Sequence, residues 1–354
     1  SASSSRTITV PFTLSGSAAN PADHDATNAS ISLPAGSTSA TYSFNVIGDT
    51  LDEPNETVIF TMGSPSNASA GTTTTHTVNI TDDDAAPAVS FTASGQTVLE
   101  GNSGSTPVSV SVNLSAASGR TITVPFTLGG SAASPADHDA VNASISLPAG
   151  STSATYSFNV VGDTLDEPDE TVVFTMGSPS NATLGVTTVH TVTLSDDDAA
   201  PTVNFTSTGQ TVLEGSTGNT AVTVSANLTA ASSRTITVPF TLSGSAANPA
   251  DHDAVNASIS IPAGSLSGST SFNVTGDTLD EPDETIVFTM GSPSNASAGT
   301  STSHTVTITD DDAAPTVSFT STSQSVPEGN TGNTSVTVSA SLSASSGRTI
   351  TVPF

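Results

Sequence analysis

The sequence predicts an all-β chain built as tandem β-sandwiches in an elongated array, on three observations. The heptapeptide Arg-Thr-Ile-Thr-Val-Pro-Phe begins at Arg6, Arg120, Arg234 and Arg348, a period of 114 residues; self-similarity at a fixed period marks a repeat architecture. Inside each period, apolar residues alternate with Ser and Thr, the pattern of a strand with one face in a core and the other in water. No stretch carries the 3.6-residue periodicity of a helix.

The elements follow in order through residues 85–198. Ala88–Phe91 and Val98–Glu100 open the period. Val108, Val110, Val112 and Leu114 share one parity, as do Ile122, Val124, Phe126 and Leu128. Ile145–Leu147 comes next, then Tyr156, Phe158 and Val160, then Val172, Phe174 and Met176, and finally His190–Leu194. The Ser and Thr between them form the solvated face, and their β-branched share suits a strand. Seven or eight short strands at this spacing have the size and rhythm of an immunoglobulin-like sandwich.

Asp82–Asp84, Asp196–Asp198 and Asp310–Asp312 recur in register, each followed by Ala-Ala-Pro. Proline resists continuing regular structure, and the alternation restarts beyond it, so the boundaries fall there. The expected domains are 1–84, a repeat lacking its first strands; 85–198 and 199–312, both complete; and 313–354, the opening strands of another. Completion of residues 1–84 by residues 313–354 of a neighbouring subunit would place the heptapeptide strand in one sandwich twice. A segment of a longer array is therefore the expected arrangement.

Composition removes several functions. The 354 residues hold 32 acids against four arginines and no lysine, a net charge of −28. Nucleic-acid phosphates and anionic membrane surfaces are repelled by such a chain, and no apolar run reaches membrane-spanning length. There is no cysteine, hence no disulfide, thiolate metal site or cysteine nucleophile. Aromatics are 4% with no Trp, which suits thin cores better than deep apolar pockets. Neither a Gly-x-Ser-x-Gly elbow nor a phosphate loop occurs, and no enzyme is expected.

The acids are not spread for solubility. In residues 85–198 all eleven lie in four segments: Glu100; Asp137 and Asp139; Asp163, Asp166, Glu167, Asp169 and Glu170; and Asp196–Asp198. In a sandwich these are strand ends and loops that can converge at one pole. Two carboxylates at about 4 Å repel by roughly 4 kcal/mol at an effective dielectric of 20, so several such pairs threaten a marginally stable domain. A hard divalent cation removes the repulsion. Ca²⁺ takes six to eight oxygens in irregular loops, whereas Mg²⁺ demands a tight octahedron; the absence of Cys and the scattered His disfavour zinc.

These same segments carry a family resemblance. Val98-Leu99-Glu100, Gly-Ser-Ala-Ala leading to Asp137, Ile-Ser-Leu-Pro-Ala-Gly at 145–150, Gly-Asp-Thr-Leu-Asp-Glu-Pro-Asp-Glu-Thr at 162–171 and the closing Asp196-Asp197-Asp198 together resemble the Calx-beta domain. That family is an immunoglobulin-like sandwich of sodium–calcium exchanger regulatory loops and of large repetitive bacterial surface proteins. The resemblance implies Ca²⁺ ligation by Glu100, Asp137, Asp163, Glu167, Glu170 and Asp196–Asp198, with the Leu165 carbonyl as a further ligand. It carries over to Asp23, Asp49, Glu53, Glu56, Asp82, Asp83 and Asp84, and to Glu214, Asp251, Asp277, Glu281, Glu284, Asp310, Asp311 and Asp312. Glu328 holds the Glu100 position of the last repeat. Two departures stand out: Gly48, Gly162 and Gly276 replace an acid common in the family, and His24, His138 and His252 replace its aromatic residue.

His138 is expected to pack as that aromatic would, and His76, His190 and His304 to be partly buried strand residues. The arginines are expected to cap a strand or to pair with a neighbour's acids. Thirteen Asn-x-Ser/Thr sequons include Asn28, Asn142 and Asn256 in one register and Asn67, Asn181 and Asn295 in another, candidate sites for covalent glycans. The function expected is a structural calcium-binding segment of a long extracellular fibre or adhesin stalk at the cell surface, its partners being further repeats or neighbouring subunits. A calcium-sensing regulatory module and a ligand-binding adhesin domain are the alternatives.

Overall fold

A computed structural model describes residues 3–354. They fall into two compact units, Ser1–Gly162 with Asp169–Ser195, and Asp163–Pro168 with Asp196–Phe354. Every regular element among the described residues is a strand, as the alternation requires.

The first unit holds one complete sandwich. One sheet runs in the order Ser153–Gly162, Gly104–Leu114, Ala88–Phe91, Thr183–Leu184. The facing sheet runs Gly95–Leu99, Val189–Ser195, Glu170–Met176, Ile122–Gly130, Ala143–Leu147. The two-residue strand Thr183–Leu184 is one that the sequence pattern does not reveal; it is too short to alternate, and pairs in parallel with Ala88 and Val89. The core lies between the sheets and holds Val89, Phe91, Val110, Val112, Ile122, Phe174 and their neighbours, the residues of one parity on each strand. Phe158 and Phe126 pack tilted against Phe174, with ring centroids 5.6 and 5.3 Å away.

The same unit contains a single four-stranded sheet from residues 3–84, ordered Ala29–Leu33, Ile8–Gly16, Glu56–Met62, Thr75–Ile80. The second unit repeats the complete sandwich in residues 202–309, with its core on Val203, Phe205, Ile236, Ile259, Ile286 and Phe288. It adds a two-stranded ribbon of Val317–Phe319 and Ala340–Leu342.

Two registers place the acids. Gly209–Leu213 pairs in parallel with the closing strand, setting Leu213 opposite Thr309. Glu284–Met290 pairs antiparallel with that closing strand, setting Glu284 opposite Ile308. Glu214, Glu284 and Asp310 thus meet at one end of one sheet, although 70 residues and more separate Glu214 from the others along the chain. Backbone geometry is equally specific elsewhere. Gly130 has φ +114°, and a Cβ there would lie 2.0 Å from the Thr171 carbonyl oxygen, so only glycine fits.

Candidate metal centre

In the first unit, one carboxylate oxygen each from Asp23, Glu53 and Glu56 lies within 4.8 Å of the others. Asp23 is fixed by its own loop: its backbone N–H donates to the Ala19 carbonyl at 2.7 Å, and its Oδ2 accepts from the Ala19 N–H. Asp49 Oδ1 accepts from the Leu51 N–H at 2.7 Å, and Asp82 Oδ1 from the Glu53 N–H at 3.1 Å. A cleft of about 130 Å³ is lined by Asp23, Asp49, Glu53, Glu56 and Asp82–Asp84.

Charge follows from that crowding. Burial, then the hydrogen bond and charge of Asp23, then Glu53, push the Glu56 carboxyl up to about 7. Burial and the charges of Asp23, Asp49, Asp82 and Asp84 raise Glu53. Asp84 is raised by burial and then by Asp83 and Asp82. Acids held this close release a proton less readily than an isolated carboxyl does, and a cation in their midst relieves the repulsion.

The second unit repeats the arrangement with Glu214 included. Burial and then Asp277 raise Glu214 to about 7; burial and then Asp251, with Glu281 and Glu214 beyond, raise Glu284 to about 7. Glu281 is raised by burial and by Asp251, Asp277 and Asp310. These six acids share one field. Asp311 Oδ1 accepts from the Gly215 N–H at 3.0 Å, while Asp312 Oδ2 is buried without a hydrogen-bond partner. In this unit also, Asp198 is raised by burial and by Asp196, Asp197, Asp163 and Asp166, and Asp163 Oδ1 accepts from the Leu165 N–H at 2.7 Å. In the first unit, Glu100 is buried behind strand Gly95–Leu99, its N–H on the Ser195 carbonyl at 3.1 Å; Asp137 repeats the Asp23 loop, and Glu170 opens its strand opposite Leu194. A donor set made wholly of carboxylates, in loops and with a buried oxygen left over, fits a hard oxygen-seeking cation.

Glu328 stands apart. It is exposed, where its counterparts Glu100 and Glu214 are buried, because residues 323–327 form no strand to carry it to the other acids. Gly276 explains one departure from the family pattern: a Cβ there would sit 2.1 Å from the Gly215 carbonyl oxygen, and one at Gly162 2.0 Å from that of Gly101. An aspartate has no room at either place.

Five of the six histidines settle in the core. His138 is buried, its Nδ1 accepting from the Ala140 N–H at 3.1 Å and its ring edge-on to Phe158 at 6.2 Å, as an aromatic substitute would be. His190 and His304 are fully rather than partly buried, and His76 is exposed because no strand covers that end of its sheet.

A second constellation lies beside the acids: the arginines pair with a neighbouring repeat's acids, as expected, but sequence reasoning missed the buried aspartate and serine that they meet. Asp52, Asp166 and Asp280 are buried at 6% exposure, and each forms a parallel bridge with a serine of the next repeat, Ser118, Ser232 and Ser346. Ser118 Oγ donates to Asp52 Oδ2 at 2.6 Å and Ser346 Oγ to Asp280 Oδ2 at 2.7 Å. Arg120, Arg234 and Arg348 donate to the carbonyls of Glu53, Glu167 and Glu281. Arg120 Nη2 also stands 3.6 Å from Asp82 Oδ2, and Arg348 Nη2 3.6 Å from Asp310 Oδ2. The one available signal was that all four basic residues share one position of the period.

Fold and site together define a tandem immunoglobulin-like sandwich protein with acidic poles built from residues 23–84 and 214–312. The sequence profile of the Calx-beta domain matches residues 1–84, 82–198 and 196–312, and the chain belongs to the Calx-beta domain family. Among solved structures it is similar to CBD12 from CALX1.2, at 17% identity over 62% of this chain and 98% of that one, with a TM-score of 0.30. The apo-form Calx CBD1 domain is 22% identical over 32% of this chain and 98% of its own, TM-score 0.29. The human desmocollin-1 ectodomain is 11% identical over 87% and 56%, TM-score 0.26. No curated protein matches.

Proposed function

We propose that the chain is a structural calcium-binding segment of a long extracellular fibre or adhesin stalk, its partners being further repeats or neighbouring subunits. Asp23, Asp49, Glu53, Glu56 and Asp82–Asp84 hold Ca²⁺ in the first repeat, and the matching acids hold it in the others. The bound ion neutralises the pole and ties the loops of a repeat to its closing strand. This reading assigns the chain no catalytic role.

One observation carries the mechanical part. Asp82 and Asp310 belong to the acidic pole and at the same time face the arginine of the following repeat, so an ion in the pole acts directly on the junction. Millimolar extracellular calcium fills sites of about 10⁻⁴–10⁻³ M affinity.

The test is calorimetric melting with calcium and with a chelator. Ligand at a hundredfold its Kd contributes about 2.7 kcal/mol per site, and each kcal/mol moves the melting of a domain this size by about 4–8 °C. The expected shift is ~10 °C or more. A shift within two degrees rejects the scheme. A calorimetric titration separates the sensor alternative, which requires submicromolar affinity.

A further inference from the structure

The two sequon registers named above differ in what their amide nitrogens do, and that nitrogen is the atom an N-linked glycan needs. Asn67, Asn181 and Asn295 lie at φ 53°, 56° and 55°, each Nδ2 donating to a backbone carbonyl, of Thr7, Thr121 and Thr235, at 2.8, 2.9 and 3.0 Å. Each of those nitrogens gives one of its two hydrogens to the fold, which fixes the side chain against the backbone. In Asn28, Asn142 and Asn256 the relation is reversed. The side-chain oxygen accepts from the N–H of Leu14, Leu128 and Leu242 at 2.8, 2.7 and 2.8 Å, and Nδ2 has no hydrogen bond among the described residues. All three side chains are exposed, as is the serine two residues on.

Two further features surround this position. Val141 and Val255, immediately before Asn142 and Asn256, are 60% and 65% exposed, large apolar side chains left in water where the apolar face of a pyranose can cover them. Around Val255 lie two clefts: one of about 230 Å³ bordered by Asp253, Val255, Thr270 and Asn273, the other of about 360 Å³ bordered by Ser243, Asn248, Val255 and Asn256.

We propose that Asn142 and Asn256, with Asn28 at the corresponding place, are acceptors of N-linked glycans, and that Asn67, Asn181 and Asn295 are not. Nδ2 attacks the anomeric carbon of a polyprenyl-diphosphate-linked sugar; the C–N bond forms, the C–O bond to the diphosphate breaks, and the amide proton passes to the transferase's base. The inference rests on the export proposed above. The test is peptide mass spectrometry of the full chain isolated from the cells that make it. Sugar mass is expected on the peptides bearing Asn142 and Asn256, released by peptide N-glycosidase with conversion of Asn to Asp, and lost at that site in Asn142→Gln or Asn256→Gln. Unmodified peptides at both sites, or sugar on Asn181 and Asn295 instead, overturn the proposal; either result leaves the calcium-dependent melting to be judged separately.

Discussion

Arg120 of the second repeat reaches back to Asp52 of the first, its Nε 3.3 Å from Asp52 Oδ1. The contact recurs with Arg348 on Asp280 at 3.2 Å and, more loosely, with Arg234 on Asp166 at 3.9 Å. A buried carboxylate facing a chain with 32 acids and four arginines has few available counter-charges. The period supplies one at the same place each time. Ser118 completes the cup by donating to the second oxygen, so Asp52 has a counter-charge beside one oxygen and a hydrogen bond on the other, although the Arg120 Nε–H makes no hydrogen bond of its own.

Removal of one partner is therefore expected to cost more than an exposed ion pair would. Asp52→Ala removes the carboxylate that Ser118 and Arg120 face, leaving them the backbone carbonyls of residues 52 and 53, and lowers the stability of the first junction by about 1–3 kcal/mol, the exposure of the arginine keeping it below the buried limit. Ser118→Ala removes a neutral hydroxyl that donates to Asp52 and accepts from the Arg120 N–H at 3.1 Å, at a cost of about 1 kcal/mol. Urea denaturation in calcium checks both, and equal effects would show that charge plays no part.

The acids give the calcium-free chain an unusual pH dependence. Glu56, Glu214 and Glu284 sit near 7 when folded, above the ordinary glutamate value, so between that value and about pH 7 the folded state binds more protons than the unfolded one. Stability then falls as pH rises through this window. In chelator the melting temperature is expected to be higher at pH 5 than at pH 8. Calcium, which needs the deprotonated acids, stabilises most at pH 8. The opposite order in chelator would mean that these carboxyls are not crowded in solution.

Gly130→Ala forces a methyl group into the Thr171 carbonyl at a backbone angle alanine avoids. A loss of about 1–3 kcal/mol or more is expected in chemical denaturation. Gly129→Ala, with nothing within 4 Å of its added Cβ, is the control and should change stability by only a few tenths of that.

Gly276→Asp tests why the family's acid is missing. The substitution adds a carboxylate to the pole but drives Cβ against the Gly215 carbonyl, so a destabilisation of about 1–3 kcal/mol is expected even in calcium. Gly48→Asp meets nothing within 4 Å and should be tolerated. Equal tolerance at both positions, measured by thermal melting in calcium, would remove steric crowding as the reason.

Much of this architecture could be read along the chain. Val110, Val112, Ile122 and Phe174 are buried because alternation fixes which parity faces inward. The gathering of acids at strand ends was visible too, since strand ends are where the alternation stops. Thr183–Leu184 was not visible, being too short to show a period. Nor was the isolation of Glu328, because a single strand's pattern does not say whether its partner is at hand.

By itself the sequence determined the repeat, the strand faces and the positions at which negative charge collects, all properties of local order that spacing along one chain encodes. Tertiary structure alone decided that Asp52 belongs to the arginine while its neighbour Glu53 joins Asp23 and Glu56, and that Asn181 bonds to the fold through its amide nitrogen while Asn142 does so through its amide oxygen. Adjacent residues of the same chemical type part company there because direction, burial and the partner across the gap are set by chain segments tens of residues away.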